Sequence, residues 1–280
     1  MITSRDNPRV KHVKKLNRKA KSRRQEKLFV AEGERIISET PFSLLRELYV
    51  CDTYQKQEAV NRAHSRMQEK LEAVMEKAKE KGILEVVTED VFAEMSDTEH
   101  PQGVLAVIEQ PSYQLKDLMA DAPLIMILED IQDPGNLGTI FRTAEGAGVS
   151  GIIMSRGTVD LFSPKVVRST MGSIYRMPFL VAEDLPEMIR SIKGEGVRLY
   201  AAHLEGKKYH DGFAYTGPSG FMIGNEGNGL SRELTDYADD LLRIPMGGQL
   251  ESLNAAMAAG ILMYEANRQR RKDLGHANLV

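Results

Sequence analysis

The chain has 280 residues, 42% hydrophobic and 28% charged, with a net charge of −3, which is enough apolar sequence for two cored domains and too ordered a composition for a disordered protein. No apolar run approaches the ~20 residues that span a bilayer, and the basic N-terminus lacks the apolar segment of a signal peptide. The single cysteine, Cys51, leaves no internal disulfide or cysteine-based zinc site, and the six histidines show no ligand-type spacing, so a cytoplasmic protein with no metal and no membrane partner is expected.

Residues 1–27 hold eleven Lys/Arg against Asp6 and Glu26, a local net of +9 that leaves −12 for the rest. Such a block serves a polyanion, whose condensed counterions are released on binding, or is simply a solvated terminus. Its Ser4, Asn7, Asn17 and Ser22 can also bond phosphates, which favours nucleic acid. Beyond this arm, 27–31 reads as a strand, Glu32-Gly33 as a turn, and 34–38 as a helix that Pro41 ends. A strand then ends at Cys51. Apolar residues at three- and four-residue spacing predict a helix over 55–81, closed by Gly82. A strand at 84–87 follows, then Thr88 as N-cap of a helix over 89–95, and a strand at 104–108 after Pro101-Gln102-Gly103. These alternating elements make an α/β unit over residues 1–110, with 111–122 as a linker.

From residue 123 to 280 the alternation resumes. Strands are predicted at 124–128, 151–154, 178–181, 197–202, 221–223 and 241–244. Helices are predicted at 136–147, 164–171, 185–193, 231–237 and 252–270. Strands separated by helices imply a mostly parallel sheet covered on both faces.

Two stretches carry the chemistry. Gln132-Asp133-Pro134-Gly135-Asn136-Leu137-Gly138 follows a strand and opens a helix on which Arg142 lies six residues past Asn136. Asn136 reads equally as a helix cap, and Arg142 as a solvated residue or a fork for phosphate. Ile223-Gly224-Asn225-Glu226-Gly227-Asn228-Gly229-Leu230 and Ile244-Pro245-Met246 are strands running into polar loops, and Ser252-Leu253-Asn254 leads into the last helix. Bare backbone groups beside an apolar wall suit a nucleoside-sized ligand. Neither GxxxxGK[ST] nor GxGxxG occurs in its required context, which disfavours a P-loop NTPase or a dinucleotide-binding Rossmann domain. Taken singly, Glu226 reads as a turn residue, Ser252 as the cap of the last helix, Asn254 as a first-turn residue, and Met257, Leu262 and Met263 as core.

In order and spacing, these segments resemble the three motifs of the SpoU/TrmH family, S-adenosylmethionine-dependent RNA ribose 2′-O-methyltransferases of the SPOUT superfamily. Ser4-Arg5-Asp6-Asn7-Pro8, Phe29-Val30-Ala31-Glu32-Gly33 and Pro101-Gln102-Gly103 are similar to segments of that family's L30e-like substrate-binding module. The resemblance implies an α/β protein with a smaller N-terminal L30e-like domain and a C-terminal SPOUT domain. The latter's parallel sheet would carry a deep trefoil knot, against the usual rule for chains, and would mediate a homodimer. It implies S-adenosylmethionine contacts at Gly224, Ile244 and Leu253, with Ala202, Leu204 and Met246 lining the pocket. Asn136, Arg142, Glu226, Ser252 and Asn254 fall on catalytic and substrate-facing positions. Two departures, Ala255-Ala256 after Asn254 and Ala202 where threonine is frequent, are expected to tune the pocket.

In that reaction a methyl passes from a sulfonium to a ribose 2′-oxygen, so positioning and removal of the hydroxyl proton dominate. A guanidinium keeps its proton, which suits Arg142 to holding the neighbouring phosphate and stabilising charge on O2′. Glu226 would anchor Arg142 or the loop. The basic arm and the L30e-like module point to ribosomal RNA, 23S first. The competing readings are a transfer-RNA methyltransferase, a non-catalytic ribosome-assembly protein of the same fold, and a metabolic enzyme using another nucleotide.

Overall fold

The computed structural model describes residues 1–54, 65–250 and 252–273. They form two compact units: one comprises Met1–Pro111 with Asp160–Tyr175, the other Ser112–Val159 with Arg176 onward. The expected division falls at 111–122 and leaves 160–175 with the second part; in the structure that excursion belongs to the first.

In the first unit the basic arm is folded rather than extended. Helix α1 (Pro8–Arg18) starts where Asn7 accepts the Arg9 N–H at 2.9 Å and Pro8 supplies a fixed φ, and it buries Val10, Val13 and Leu16. Helix α2 (Ala20–Glu26) follows after a break at Lys19. Strand β1 (Leu28–Glu32), helix α3 (Glu34–Ser38) and strand β2 (Leu45–Cys51) come next. Part of the predicted helix over 55–81 lies outside the described residues. The described part, α4 (Arg66–Glu80), opens on a capping box of Ser65 and Gln68. Strand β3 (Leu84–Val87), helix α5 (Glu89–Met95) and strand β4 (Val104–Glu109) complete a sheet of order β1-β4-β2-β3. Thr88 occupies the N-cap position of α5 but makes no side-chain cap bond. The sheet is mixed: β4 runs antiparallel to both neighbours, and β2 parallel to β3.

The second unit begins with helix α6 (Leu115–Leu118), strand β5 (Leu124–Leu128), helix α7 (Pro134–Ala147) and strand β6 (Gly151–Ser155). The chain then makes its excursion into the first unit, where helix α8 (Pro164–Thr170) packs on β1. Asp160 anchors the segment by an ion pair to Arg23 at 2.6 Å, with side-chain exposures of only 15% and 5%. Arg23 also donates to the Asn17 carbonyl at 2.9 Å. Breaking a buried pair strands the remaining charge. Arg23→Ala is therefore expected to cost about 3–5 kcal/mol in the first unit's unfolding free energy, read by urea denaturation.

Strand β7 (Phe179–Ala182), helix α9 (Leu185–Gly194), strand β8 (Arg198–Ala202), the two-residue strand β9 (Lys208–Tyr209) and strand β10 (Ser219–Ile223) follow. Helix α10 (Arg232–Thr235), strand β11 (Asp240–Arg243) and helix α11 (Ala255–Asp273) end the described chain. The sheet order is β7-β6-β5-β10-β8-β11-β9 and every pairing is parallel. Strands β5, β6 and β10 are buried at all five positions, as strands covered on both faces must be. Ile125, Ile127, Ile153, Leu199 and Met222 form one core with Leu185, Ile189 and Ile192 of α9. Helix α11 buries Ala259, Leu262, Met263 and Ala266, but Met257, expected in the core, is 59% exposed.

The chain runs outward from β5 through β6 to β7, then returns to build the other half beside β10. The loops following β5 and β10 therefore leave adjacent strand ends at a reversal of strand order. In open α/β sheets that crevice is where ligands bind.

Candidate active site

The loop after β5 is held by its own polar atoms. Asp130 has φ +53°, and its N–H donates to Ser155 Oγ at 2.8 Å. Gln132 Nε2 donates to the carbonyls of Asp130 at 3.1 Å and Gly157 at 2.6 Å. Helix α7 is capped by Asp133, whose Oδ1 accepts the Asn136 N–H at 2.7 Å, with Pro134 in the first turn. Asn136 is therefore not the cap; its side chain is released for other work.

That work is a chain of hydrogen bonds through three separate sequence segments. Asn136 Nδ2 donates to Glu226 Oε1 at 2.9 Å, and Asn254 Nδ2 donates to Asn136 Oδ1 at 2.8 Å. Asn254 Oδ1 in turn accepts the N–H groups of Ala256 at 2.9 Å and Met257 at 3.2 Å, so Asn254, not Ser252, caps α11. Glu226 also accepts the backbone N–H groups of Gln132 at 3.0 Å and Asp133 at 3.1 Å. Burial pushes its carboxyl up, but the Gln132 N–H, the Asn136 amide and further backbone donors outweigh this and hold it below the usual carboxylate range. Glu226 anchors the loop rather than Arg142. Arg142 is exposed and forms no hydrogen bond or ion pair with any described residue. Six residues past Asn136, it lies about 9 Å further along the α7 axis.

The loop after β10 closes on itself. Asn225 Oδ1 accepts the N–H groups of Gly227 at 2.9 Å and Asn228 at 3.1 Å, while its Nδ2 donates to the Asp130 carbonyl at 2.8 Å. The loop's far end is tied where the Ser231 N–H donates to Glu129 Oε2 at 2.7 Å. A Cβ on Gly224 would stand 2.1 Å from the Gly229 carbonyl carbon and the Leu230 nitrogen. The glycine is demanded by this closure, because backbone cannot yield as a flexible side chain would. Gly224→Ala is thus expected to open the loop and weaken nucleoside binding by at least tenfold, about 1.4 kcal/mol, measured by calorimetry.

A cavity of about 550 Å³ lies among the loop after β10, the segments after β8 and β11, and the start of α11. All six residues expected to meet the cofactor (Ala202, Leu204, Gly224, Ile244, Met246 and Leu253) line it, together with Glu226 and Ser252. Asn136, Arg142 and Asn254 are not on its wall; the first and last join it through Glu226. Asn228 and Leu230 of the quoted segment line it too, as do His203, Glu205, Arg243 and Ala258, the last four given no role in the sequence reading. Nor did that reading single out Glu129, Gln132 and Asn225 as the residues that tie the loops, although all three stand inside or beside the quoted segments. The volume falls in the ~300–1,000 Å³ range of small-ligand pockets. Apolar Ile223, Leu230, Leu242 and Ile244 offer a wall for a purine ring. Glu205, Glu226 and Arg243 offer both signs of charge for an amino-acid tail. The residues present therefore fit S-adenosylmethionine.

A parallel α/β sheet with a nucleoside-sized cavity at the C-terminal ends of β8, β10 and β11 is the architecture of a nucleotide- or cofactor-binding protein. Residues 123–264 match the SpoU rRNA methylase family, and residues 7–106 match the MRM3-like substrate binding domain. The chain is 34% identical over 265 residues to the Bacillus subtilis 23S rRNA (guanosine(2553)-2′-O)-methyltransferase RlmP, covering 94% of this chain and 97% of that protein. The AdoMet-bound rRNA methyltransferase from Sinorhizobium meliloti superposes with a TM-score of 0.80 at 33% identity, over 95% of this chain and 97% of that one. AviRb, the SpoU methyltransferase from Streptomyces viridochromogenes, in complex with AdoMet gives 0.80 at 27% identity, over 95% of this chain and all of that one. The chain belongs to the SpoU rRNA methylase family. It is a methyltransferase that uses S-adenosylmethionine.

Proposed function

We propose that the protein methylates a ribose 2′-hydroxyl of ribosomal RNA, in the 23S molecule. The observation that carries this reading is the joint Glu226–Asn136–Asn254 chain beside the 550 Å³ cavity, in a protein whose N-terminal unit matches a substrate-binding domain. The relative named above acts on a guanosine 2′-hydroxyl of 23S rRNA, and it aligns over nearly the whole chain.

When bound, S-adenosylmethionine supplies an electrophilic methyl on a sulfonium. The protein's own part is to hold the ribose in line and manage the 2′-hydroxyl proton. Arg142 takes the adjacent phosphate and stabilises negative charge developing on O2′, since a guanidinium has no proton to give up at working pH. Ser252 orients the ribose from the cavity rim. Asn136, Glu226 and Asn254 act as positioning residues whose bonds go to the protein's own loops and helix start. Gly224, Ile244 and Leu253 meet the cofactor, with Ala202, Leu204 and Met246 around it. The same reading places the enzyme in the cytoplasm as a homodimer, with the C-terminal segment threaded as a trefoil knot. Exposed Met257 and Tyr264 on α11 support a covered face there.

The test is to map 2′-O-methyl groups on ribosomal and transfer RNA from cells with and without the gene. A 2′-O-methyl lost from 23S rRNA supports the proposal. A loss confined to transfer RNA, or no loss at all, overturns it.

A further inference from the structure

The first 27 residues read as one basic block, but the fold divides that block in two. Six of its cations are committed to carboxylates of the same unit. Arg5 meets Asp90 at 3.6 Å, Arg9 meets Glu85 at 2.7 Å, and Lys11 meets Asp6 at 2.9 Å. Lys14 meets Glu94, Lys15 meets Glu26 at 2.8 Å, and Arg23 meets Asp160 at 2.6 Å. Most of the α1 cations thus fasten that helix to the unit. The other five, Arg18, Lys19, Lys21, Arg24 and Lys27, are all exposed. None makes a side-chain hydrogen bond or ion pair with a described residue, although Glu94, whose carboxyl Lys14 chiefly lowers, also feels the charges of Arg5 and Arg18.

Four of the five recur every third residue, at 18, 21, 24 and 27. The row crosses the joint where Lys19 takes extended backbone, φ −119° and ψ 105°. Within α2 the three-residue step puts Lys21 and Arg24 on one side, while Ser22 and Arg23 are the buried residues. Lys27 ends α2 at φ 55°, and its carbonyl accepts the Gln110 N–H at 2.8 Å, so the last cation stands on pinned backbone. The nearby carboxylates Glu26, Asp160 and Glu94 are already paired with Lys15, Arg23 and Lys14. Between residues 18 and 27 the one exposed residue that is not a cation is Gln25. A protein interface would need apolar or aromatic anchors in such a strip; a sugar-phosphate backbone needs only fixed cations and polar groups.

We infer that Arg18, Lys21, Arg24 and Lys27, with Lys19 at the joint, form the track on the N-terminal unit that carries the RNA phosphate backbone. The ion-paired cations of α1 take no part. This rests on the ribosomal-RNA reading. It assigns RNA affinity to the α1–α2 joint and the start of β1 rather than to the basic terminus as a whole.

The test uses the full chain and transcribed 23S rRNA, with affinity measured across a range of KCl concentrations. The quadruple variant Arg18→Gln, Lys21→Gln, Arg24→Gln, Lys27→Gln should lose about three units of the log–log salt slope and about 100-fold in affinity near physiological salt. A comparison variant, Lys11→Gln with Lys14→Gln and Lys15→Gln, removes three cations from the paired set and should stay within about fivefold of wild type. The milder pair Lys21→Gln with Arg24→Gln, at two exposed positions, should lose about one and a half units of slope with S-adenosylmethionine affinity intact. Equal losses in the quadruple and comparison variants would mean that net charge, not this track, steers the RNA, and would overturn the inference. Wild-type binding with an unchanged slope in the Lys21/Arg24 pair would overturn it too. If wild type shows no salt-dependent RNA binding, the ribosomal-RNA reading fails and takes the track with it.

Discussion

Arg142→Ala is expected to remove about 10²–10³ from kcat, the loss seen when a preorganised donor to a developing oxyanion is deleted. Affinity for S-adenosylmethionine should stay close to wild type, because Arg142 is not on the cavity wall and bonds to no described residue. Single-turnover methylation and calorimetry on the same preparation separate the two quantities. Arg142→Lys keeps the charge but loses the planar fork, so it should recover little of the rate. A collapse of cofactor affinity in Arg142→Ala would show that the residue builds the pocket instead.

Glu226→Ala should lower kcat by about 10²-fold through misplacement of Asn136 and the loop after β5, since a shift of about 1 Å in a positioning group costs that much. The carboxylate takes three donors where the loop after β5 enters α7: the backbone N–H groups of Gln132 and Asp133 and the Asn136 amide. Because its flank is exposed, the accompanying loss of stability should be only about 1–2 kcal/mol. The pH dependence has a definite sign. The folded-state carboxyl is held below its ordinary value, so its stabilisation is complete above the unfolded carboxylate pKa. It fades as pH falls through the lowered folded value. Urea midpoints of wild type and Glu226→Ala should therefore differ at neutral pH and converge in acid. A gap that persists at low pH would mean the ionised carboxylate is not what the loop needs. Glu226 is already ionised across the neutral range, so its titration should leave no step in the neutral pH–rate profile.

The second unit is legible in the sequence because its chemistry is local. Runs such as Leu124-Ile125-Met126-Ile127-Leu128, short, wholly apolar and bounded by Pro123 and by polar residues, carry the length and flanks of buried strands. Helix α1 escapes a sequence reading for the opposite reason: its apolar signal is three residues, Val10, Val13 and Leu16, diluted by cations that read as solvated. Asn7-Pro8 ahead of that spacing is the available cue. Asp133 and Asn136 are both capping residue types; Pro134 in the first helical turn is the local sign that the cap lies before it. Strand β9 has two residues and exists only by pairing with β11, which no local pattern announces. The Glu226–Asn136–Asn254 chain joins residues 90 and 118 positions apart, so its parts are visible in the sequence and their bonds are not.

The excursion of residues 160–175 bears on how this protein could be cut or recombined. The chain enters the first unit at Asp160 and leaves it after Tyr175, between two strands of the methyltransferase sheet. A fragment begun near residue 112 would carry buried Val166 and Val167 of α8 without β1, on which that helix packs. One ended near residue 111 would keep Arg23 and lose its carboxylate. Neither piece is a self-contained cassette. A graft that gives this catalytic sheet a new substrate-binding module has to replace the 160–175 segment along with the N-terminal residues, or inherit Asp160 without the arginine that answers it.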